Sequence, residues 1–271
     1  MQTQDITHET TTGCIIDHGA HVMGWEPRGR YPVLFTSAAA VYAKDTAIRG
    51  GVPICFPWFG PGRAPDAPYG HGFARTATWR HLRDEEDSEA FTTVYALTNE
   101  EATDEYWPHA FEAVLTARFG SELTISLAVT NHDSQAFSYE AALHTYLAVD
   151  SIHDVRIEGL DGARYVDKTD EGAVKEQAGP LTFDGEVDNV YETARPVEVI
   201  DVAAGRSTHV NTSGATHIIV WNPGRELAAT IGDLGPGDWE RFVCVEAGRV
   251  FDGAVSLEPG QSHTLSTTIS I

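Results

Sequence analysis

The stretch Leu123-Thr124-Ile125-Ser126-Leu127-Ala128-Val129-Thr130 does most to limit what this chain can become. Apolar and small polar residues alternate with period two, which places Leu123, Ile125, Leu127 and Val129 on one side of an extended backbone, and Asn131-His132-Asp133-Ser134 then turns the chain. The pattern is that of a half-buried strand. Comparable runs occupy residues 91–97, 113–119, 142–149, 217–221 and 241–246, separated by Gly, Asp, Asn and Pro clusters. Helical candidates are few, and residues 104–107 form at most a turn stopped by Pro108. Short strands with this punctuation predict an antiparallel sandwich or barrel rather than alternating βαβ units. Length alone does not choose between one large β domain and two smaller ones. With no repeat, low-complexity tract or Pro/Ser linker to mark a boundary, a single all-β domain over residues 1–271 is the simplest expectation.

Charge restricts the partners. Eighteen basic against forty acidic residues give a formal net charge of -22, which argues against nucleic acid and against an anionic membrane surface. A protein so negative also repels small anions at long range, so an anion site needs local arginines that reverse the potential. Cys14, Cys55 and Cys244 are odd in number and widely spaced, which fits neither a disulfide framework nor a zinc site and suits a reducing cytoplasm. The first twelve residues lack the basic start and apolar run of a signal peptide, and no segment has the length of a membrane span. The expectation is a soluble cytoplasmic protein.

Five groups carry candidate chemistry. Residues 49–60 read RGGVPICFPWFG, poor material for a helix and good material for a rigid loop. Gly50 and Gly51 permit close approach or positive φ, the prolines fix the path, and Phe56, Trp58 and Phe59 supply apolar walls. On composition alone, Arg49 there would simply pair with one of many acids. Residues 71–75 read HGFAR, with Gly70 and Gly72 freeing His71 from regular structure. His144 lies in a run where alternation puts Ala142, His144 and Tyr146 on one face, as either a satisfied core histidine or an acid aimed into a cleft. Glu246 closes the apolar run from Phe242, where a carboxylate is costly unless paired, functional or turned to water. Asp188 is one acid among several in a stretch that reads as a loop.

In order along the chain, RGGVPICFPWFG, HGFAR, ALHTYLAV continued by GLDGARYVDK, GEVDNVY, and VWNP with FVCVE resemble the signature of the hexose-6-phosphate mutarotases, the glucose-6-phosphate 1-epimerases of the aldose 1-epimerase-like superfamily. The resemblance runs from Arg49 to Glu246 and implies a large antiparallel β-sandwich of the galactose mutarotase-like type. It further implies interconversion of the α and β anomers of an aldose 6-phosphate with no cofactor and no metal. By resemblance Glu246 is the base and His144 the acid. His71 bonds the sugar near the reacting centre and shares its proton traffic, Asp188 accepts bonds from ring hydroxyls, and Arg49 and Arg75 hold the 6-phosphate through guanidinium forks.

The chemistry has matching physical needs. Opening a pyranose takes a proton from the anomeric hydroxyl and gives one to the ring oxygen, and closing on the other face reverses both transfers. Where the family often carries an arginine after Asp188, this chain has Asn189, which subtracts a basic group and leaves phosphate selectivity less determined than mutarotation. A mutarotase for free aldoses and a non-catalytic sugar-phosphate binding protein are the alternatives, the second disfavoured because binding alone does not demand both an acid and a base. A glycoside hydrolase would more usually need two flanking carboxylates. The expected partner is a small sugar phosphate, and a monomer is expected with an oligomer left open. Since no His/Cys/Asp cluster shows ligand spacing, dialysis against EDTA should leave the anomerisation rate unchanged, whereas a loss restored by Zn²⁺ or Mg²⁺ would contradict the scheme.

Overall fold

The structure is a computed structural model that describes residues 1–61, 69–102 and 105–271. Its strands form two large sheets. One runs in the order Ala173–Glu176, Arg164–Asp167, Val187–Tyr191, His217–Asn222, Phe242–Arg249, Ala141–Leu143 and Ile54–Cys55, with Tyr146–Ala148 also pairing with Phe242–Arg249. The other has nine strands, from Leu181–Thr182 through Val155–Glu158, Val197–Asp201, Arg206–Ser213, Ser262–Ser270, Leu123–Asn131, Phe111–Phe119 and Phe91–Thr98 to Arg80–Glu86. Smaller sheets join Thr3–Thr7, Thr11–Ile16 and His21–Pro27, and Val255–Leu257 with Phe137–Tyr139. All pairings between these strands are antiparallel. Among the described residues the one α-helix is the five-residue Gly224–Ala228, and no helix is long and apolar enough to cross a membrane. The all-β expectation holds.

The period-two pattern explains the layers. In Phe111–Phe119 and Leu123–Asn131 every second residue is buried, so the nine-stranded sheet turns Phe111, Leu115, Leu123 and Leu127 inward. They join one hydrophobic core with Ile218, Val220, Val243, Val245 and Ala247 of the other large sheet. Two sheets packed over a shared apolar layer make a sandwich. At the far edge of the nine-stranded sheet, Arg80–Glu86 is exposed throughout and carries Arg80, Arg83, Asp84, Glu85 and Glu86, charges that discourage pairing with another chain.

Burial departs from alternation in Phe242–Arg249, buried at every residue but the last. That strand is buried on both faces, with Val243, Val245 and Ala247 in the core and Glu246 in a pocket shared with Arg49, Phe59, His71 and Arg75, so its sequence reads as a continuous apolar run with one carboxylate in it. The sequence-based end of this strand at Glu246 is therefore corrected: pairing continues through Ala247 and Gly248 to Arg249, and Glu246 lies mid-strand. Asp188, read as a loop residue, belongs to the strand Val187–Tyr191. The single run expected over residues 142–149 is two strands, interrupted at His144 and Thr145. Of the turn expected over residues 104–107, Asp104 lies outside the described residues.

Three glycines set the loop geometry. Gly50 and Gly51 adopt φ of 117° and 58°, as the GG pair suggests. At Gly72, with φ 68°, a Cβ would collide with the carbonyl oxygen of Phe56. Gly72→Ala combines left-handed strain with that collision and should destabilise the protein by about 1 to 3 kcal/mol or more. Thermal denaturation should register a drop in Tm of roughly 5 °C, and an unchanged Tm would mean that the two loops are not packed as described.

Candidate active site

The acid and the base face each other because of strand register. Leu143 pairs with Ala247 and Tyr146 with Cys244, so the register is unchanged across the interruption and His144 stands opposite Glu246. The ladder breaks at Thr145, whose N–H bonds the Leu143 carbonyl at 2.9 Å instead of Val245, while on the other side His144 N–H donates to Pro53 O at 3.0 Å and Tyr146 N–H to Gly51 O at 2.9 Å. His144 Nε2 lies 3.3 Å from Glu246 Oε1. Its ring stacks on Tyr146, with centroids 4.9 Å apart and planes at 13°, and meets Trp221 edge-on at 5.8 Å. Alternation correctly placed His144 and Tyr146 side by side.

Cross-strand pairing extends this face. Asp188 pairs with Trp221, and Trp221 with Cys244, so Asp188, Trp221, Cys244 and Tyr146 form a row across the sheet beside Glu246. From above, His71 N–H bonds Gly60 O at 2.7 Å and Phe56 N–H bonds His71 O at 3.2 Å, folding residues 71–75 back against residues 56–60. The buried carboxylate of Glu140 fixes the rim, accepting from Phe59 N–H at 3.2 Å and Phe251 N–H at 2.7 Å. The result is a cavity of about 240 Å³ lined by Arg49, Phe59, His71, Arg75, His144, Lys168, Asp188, Trp221 and Glu246. All six residues singled out from the sequence line it.

The three cations of the pocket differ in how far they are already neutralised. Arg49 Nε donates to Asp233 Oδ1 at 3.1 Å, and another guanidinium nitrogen donates to the Tyr146 hydroxyl at 3.1 Å. Lys168 Nζ is 2.5 Å from Asp188 Oδ2. Arg75 donates to the carbonyl of Gly70 at 2.8 Å and has no carboxylate partner among the described residues.

Burial governs the titration of the centre. It holds Glu246 well above the usual carboxylate range, helped by the charge of Asp188 and opposed by Lys168 and Arg75. Burial, with His71, Arg75 and Arg49, holds His144 well below the usual histidine value. Asp188 is raised by burial, against the pull of Lys168. Among the protein groups alone, these directions favour a neutral carboxylic acid beside a neutral imidazole over the ion pair. Either way the pair holds one proton between its two members, and a bound group that changes the local field changes which partner carries it.

Residues 2–270 match the aldose 1-epimerase family. The chain belongs to that family. It is 35% identical over 251 residues to a protein of Escherichia coli (strain K12) named "Putative glucose-6-phosphate 1-epimerase", covering 89% of this chain and 81% of that one. A protein of the same name from Cenchrus ciliaris is 33% identical over 256 residues, covering 90% and 76%. Among solved structures, a "putative mutarotase" from Salmonella typhimurium superposes with a TM-score of 0.92 at 31% identity, covering 99% of this chain and 89% of that one. The fold is the β-sandwich of the galactose mutarotase-like proteins, as expected.

Within this pocket, sequence reading passed over Lys168 and Trp221, and named Phe59 only as an apolar wall. Lys168 stood in the quoted GLDGARYVDK and Trp221 in VWNP, but a lone lysine or tryptophan carries no sign of where it points. The signal for Lys168 was indirect, since it is one of only three lysines in a strongly acidic chain. Asn189 is not a lining residue: it is buried and donates to the Tyr191 hydroxyl at 3.2 Å, one position along the strand from Asp188 and hence on the opposite face. The basic group missed at residue 189 has a counterpart in Lys168, which reaches the pocket from the adjoining segment after Arg164–Asp167.

Proposed function

We propose that this aldose 1-epimerase family member interconverts the α and β anomers of an aldose 6-phosphate, with glucose 6-phosphate the expected substrate. The observation that carries the reading is a buried acid and base set face to face by strand register, 3.3 Å apart, in a pocket that also holds three cationic side chains. With the ring form bound, Glu246 is the carboxylate and His144 the imidazolium. Glu246 takes the proton of the anomeric hydroxyl and His144 gives its proton to the ring oxygen, so the C1–O5 bond breaks and the open aldehyde lies beside a neutral acid and a neutral imidazole. Rotation about C1–C2 presents the other carbonyl face. Closure then runs both transfers backwards, and no proton is exchanged with solvent.

The phosphate acts in this scheme as more than a handle. Arg75 and Arg49 oppose the protonation of His144, and a phosphate dianion held against these cations offsets their field and favours the imidazolium that ring opening needs. Asp188, held by Lys168, accepts from ring hydroxyls. Trp221 and Phe59 provide apolar walls against the pyranose faces.

One observation favours a second reading, a mutarotase for free aldoses: two of the three cations already have carboxylate partners, and among the described residues Arg75 alone has none. Polarimetry of freshly dissolved α-glucose 6-phosphate and α-glucose, run in parallel at equal protein concentration, separates them. Acceleration of the phosphate ester at least tenfold beyond that of the free sugar is expected. Equal acceleration would transfer the proposal to free aldoses, and acceleration of neither would remove it.

A further inference from the structure

Beneath His71 lies a thiol that the proposed chemistry does not use. Cys55 Sγ is 3.3 Å from His71 Nδ1, and Gly60 N–H points at the same nitrogen from 3.4 Å. We propose that Cys55 is a positioning residue which, with the Gly60 amide, holds His71 as the tautomer protonated on Nε2, so that His71 meets a ligand in the pocket solely as a hydrogen-bond donor. The ligand's identity as a sugar rests on the function proposed above, but the tautomer does not.

A backbone N–H can only donate, so the Gly60 contact, long at 3.4 Å, favours an accepting Nδ1 without fixing it, and a neutral imidazole with an accepting Nδ1 carries its proton on Nε2. The thiol completes the arrangement by donating S–H to Nδ1. It is fully buried, and burial pushes its pKa far up, so the proton it donates stays in place. His71 itself is held to about 3 by burial, followed by the charges of Arg75, Lys168 and Arg49, and is therefore neutral across the physiological range.

The ring has little freedom to escape this contact. Its backbone sits at φ 64°, pinned through Gly60 O and Phe56 N–H, and the Phe59 ring packs against it edge-to-face at 4.9 Å. Nε2 is then the nitrogen left for a pocket ligand. A fixed donor at that point bonds a sugar oxygen strongly and cannot accept a proton, so His71 orients the substrate while His144 and Glu246 carry the proton traffic.

The test is long-range ¹H–¹⁵N correlation of the histidine rings in uniformly labelled wild-type protein between pH 5 and 8, with His71 assigned by its loss in His71→Gln. We expect Nδ1 at the shift of an unprotonated nitrogen and Nε2 at that of a protonated one, constant over this range. Cys55→Ala should move both shifts toward a tautomer mixture and lower kcat/KM about three- to tenfold, the scale of one neutral hydrogen bond. Cys55→Ser keeps an O–H donor and should recover most of the loss. A wild-type His71 protonated on Nδ1 overturns the assignment, as does a folded Cys55→Ala with unchanged shifts and rate. If Cys55→Ala does not fold, the wild-type spectrum decides by itself. Should the protein turn over no aldose 6-phosphate, the spectrum still decides the tautomer, so failure of the proposed activity and failure of this assignment are told apart.

Discussion

Glu246→Gln and His144→Asn are each expected to lower kcat for anomerisation by a hundredfold or more, the usual scale for loss of a general acid or base. Glu246→Gln keeps the size and polarity of the site, and His144→Asn keeps a polar side chain there while removing the ring. The carboxylate is wholly buried, one of its oxygens has no hydrogen-bond partner, and burial drives it toward its neutral form. The amide removes the group that resists this burial, so Glu246→Gln should fold with a Tm equal to or above that of wild type. Loss of turnover with gain of stability marks a residue retained for chemistry, and near wild-type rates in either variant would sink the acid and base assignment. Loss of activity together with collapse of the fold would instead assign the pair a structural role.

Arg75→Ala is expected to raise KM for a hexose 6-phosphate about ten- to a hundredfold while changing KM for the free hexose little. This follows from the loss of a charge-assisted contact worth roughly 1.5 to 3 kcal/mol. Arg75 is singled out because its guanidinium has no carboxylate partner among the described residues and lies where a -22 protein needs an attractive field. Arg75→Lys should recover only part of the effect, since an ammonium keeps the charge and loses the fork. Arg49→Ala should affect both sugars and lower Tm, because it leaves Asp233 and Tyr146 without their donor. If steady-state kinetics show equal losses for phosphorylated and free sugar in Arg75→Ala, the arginine shapes the loop and the free-aldose reading becomes the better one.

Legibility from sequence followed the physics of each element. The strands of the nine-stranded sheet were plain because one face meets the core and the other meets solvent, so burial writes its period into Leu123, Ile125, Leu127 and Val129. Phe242–Arg249 was misjudged at its end because both faces are covered and the alternation that would carry the strand past Glu246 is absent. The interruption at His144 and Thr145 was invisible because it is one local turn of the Thr145 N–H onto the Leu143 carbonyl within an unbroken register, and the residue pattern does not mark it. Asp188 looked like a loop residue because Asp and Asn are poor strand formers, and pairing with His217–Asn222 overrides that preference.

The site residues were legible as candidates through motif resemblance, not through composition, which favoured the bland reading for Arg49 and for each histidine. For Arg49 the bland reading captured something real, since it does pair with an acid, Asp233, while also lining the pocket. Lys168 escaped notice because its position depends on how Arg164–Asp167 docks against Val187–Tyr191, a tertiary fact.

Exchange spectroscopy of glucose 6-phosphate at anomeric equilibrium tests the central claim most directly, because it reads the passage of α into β without a coupled enzyme or a net reaction. Wild-type protein should produce exchange cross-peaks between the α and β anomeric protons whose rate grows linearly with protein concentration, and Glu246→Gln at the same concentration should return the rate to within a few per cent of the spontaneous one. An exchange rate in the presence of folded wild-type protein no faster than in buffer would contradict the account.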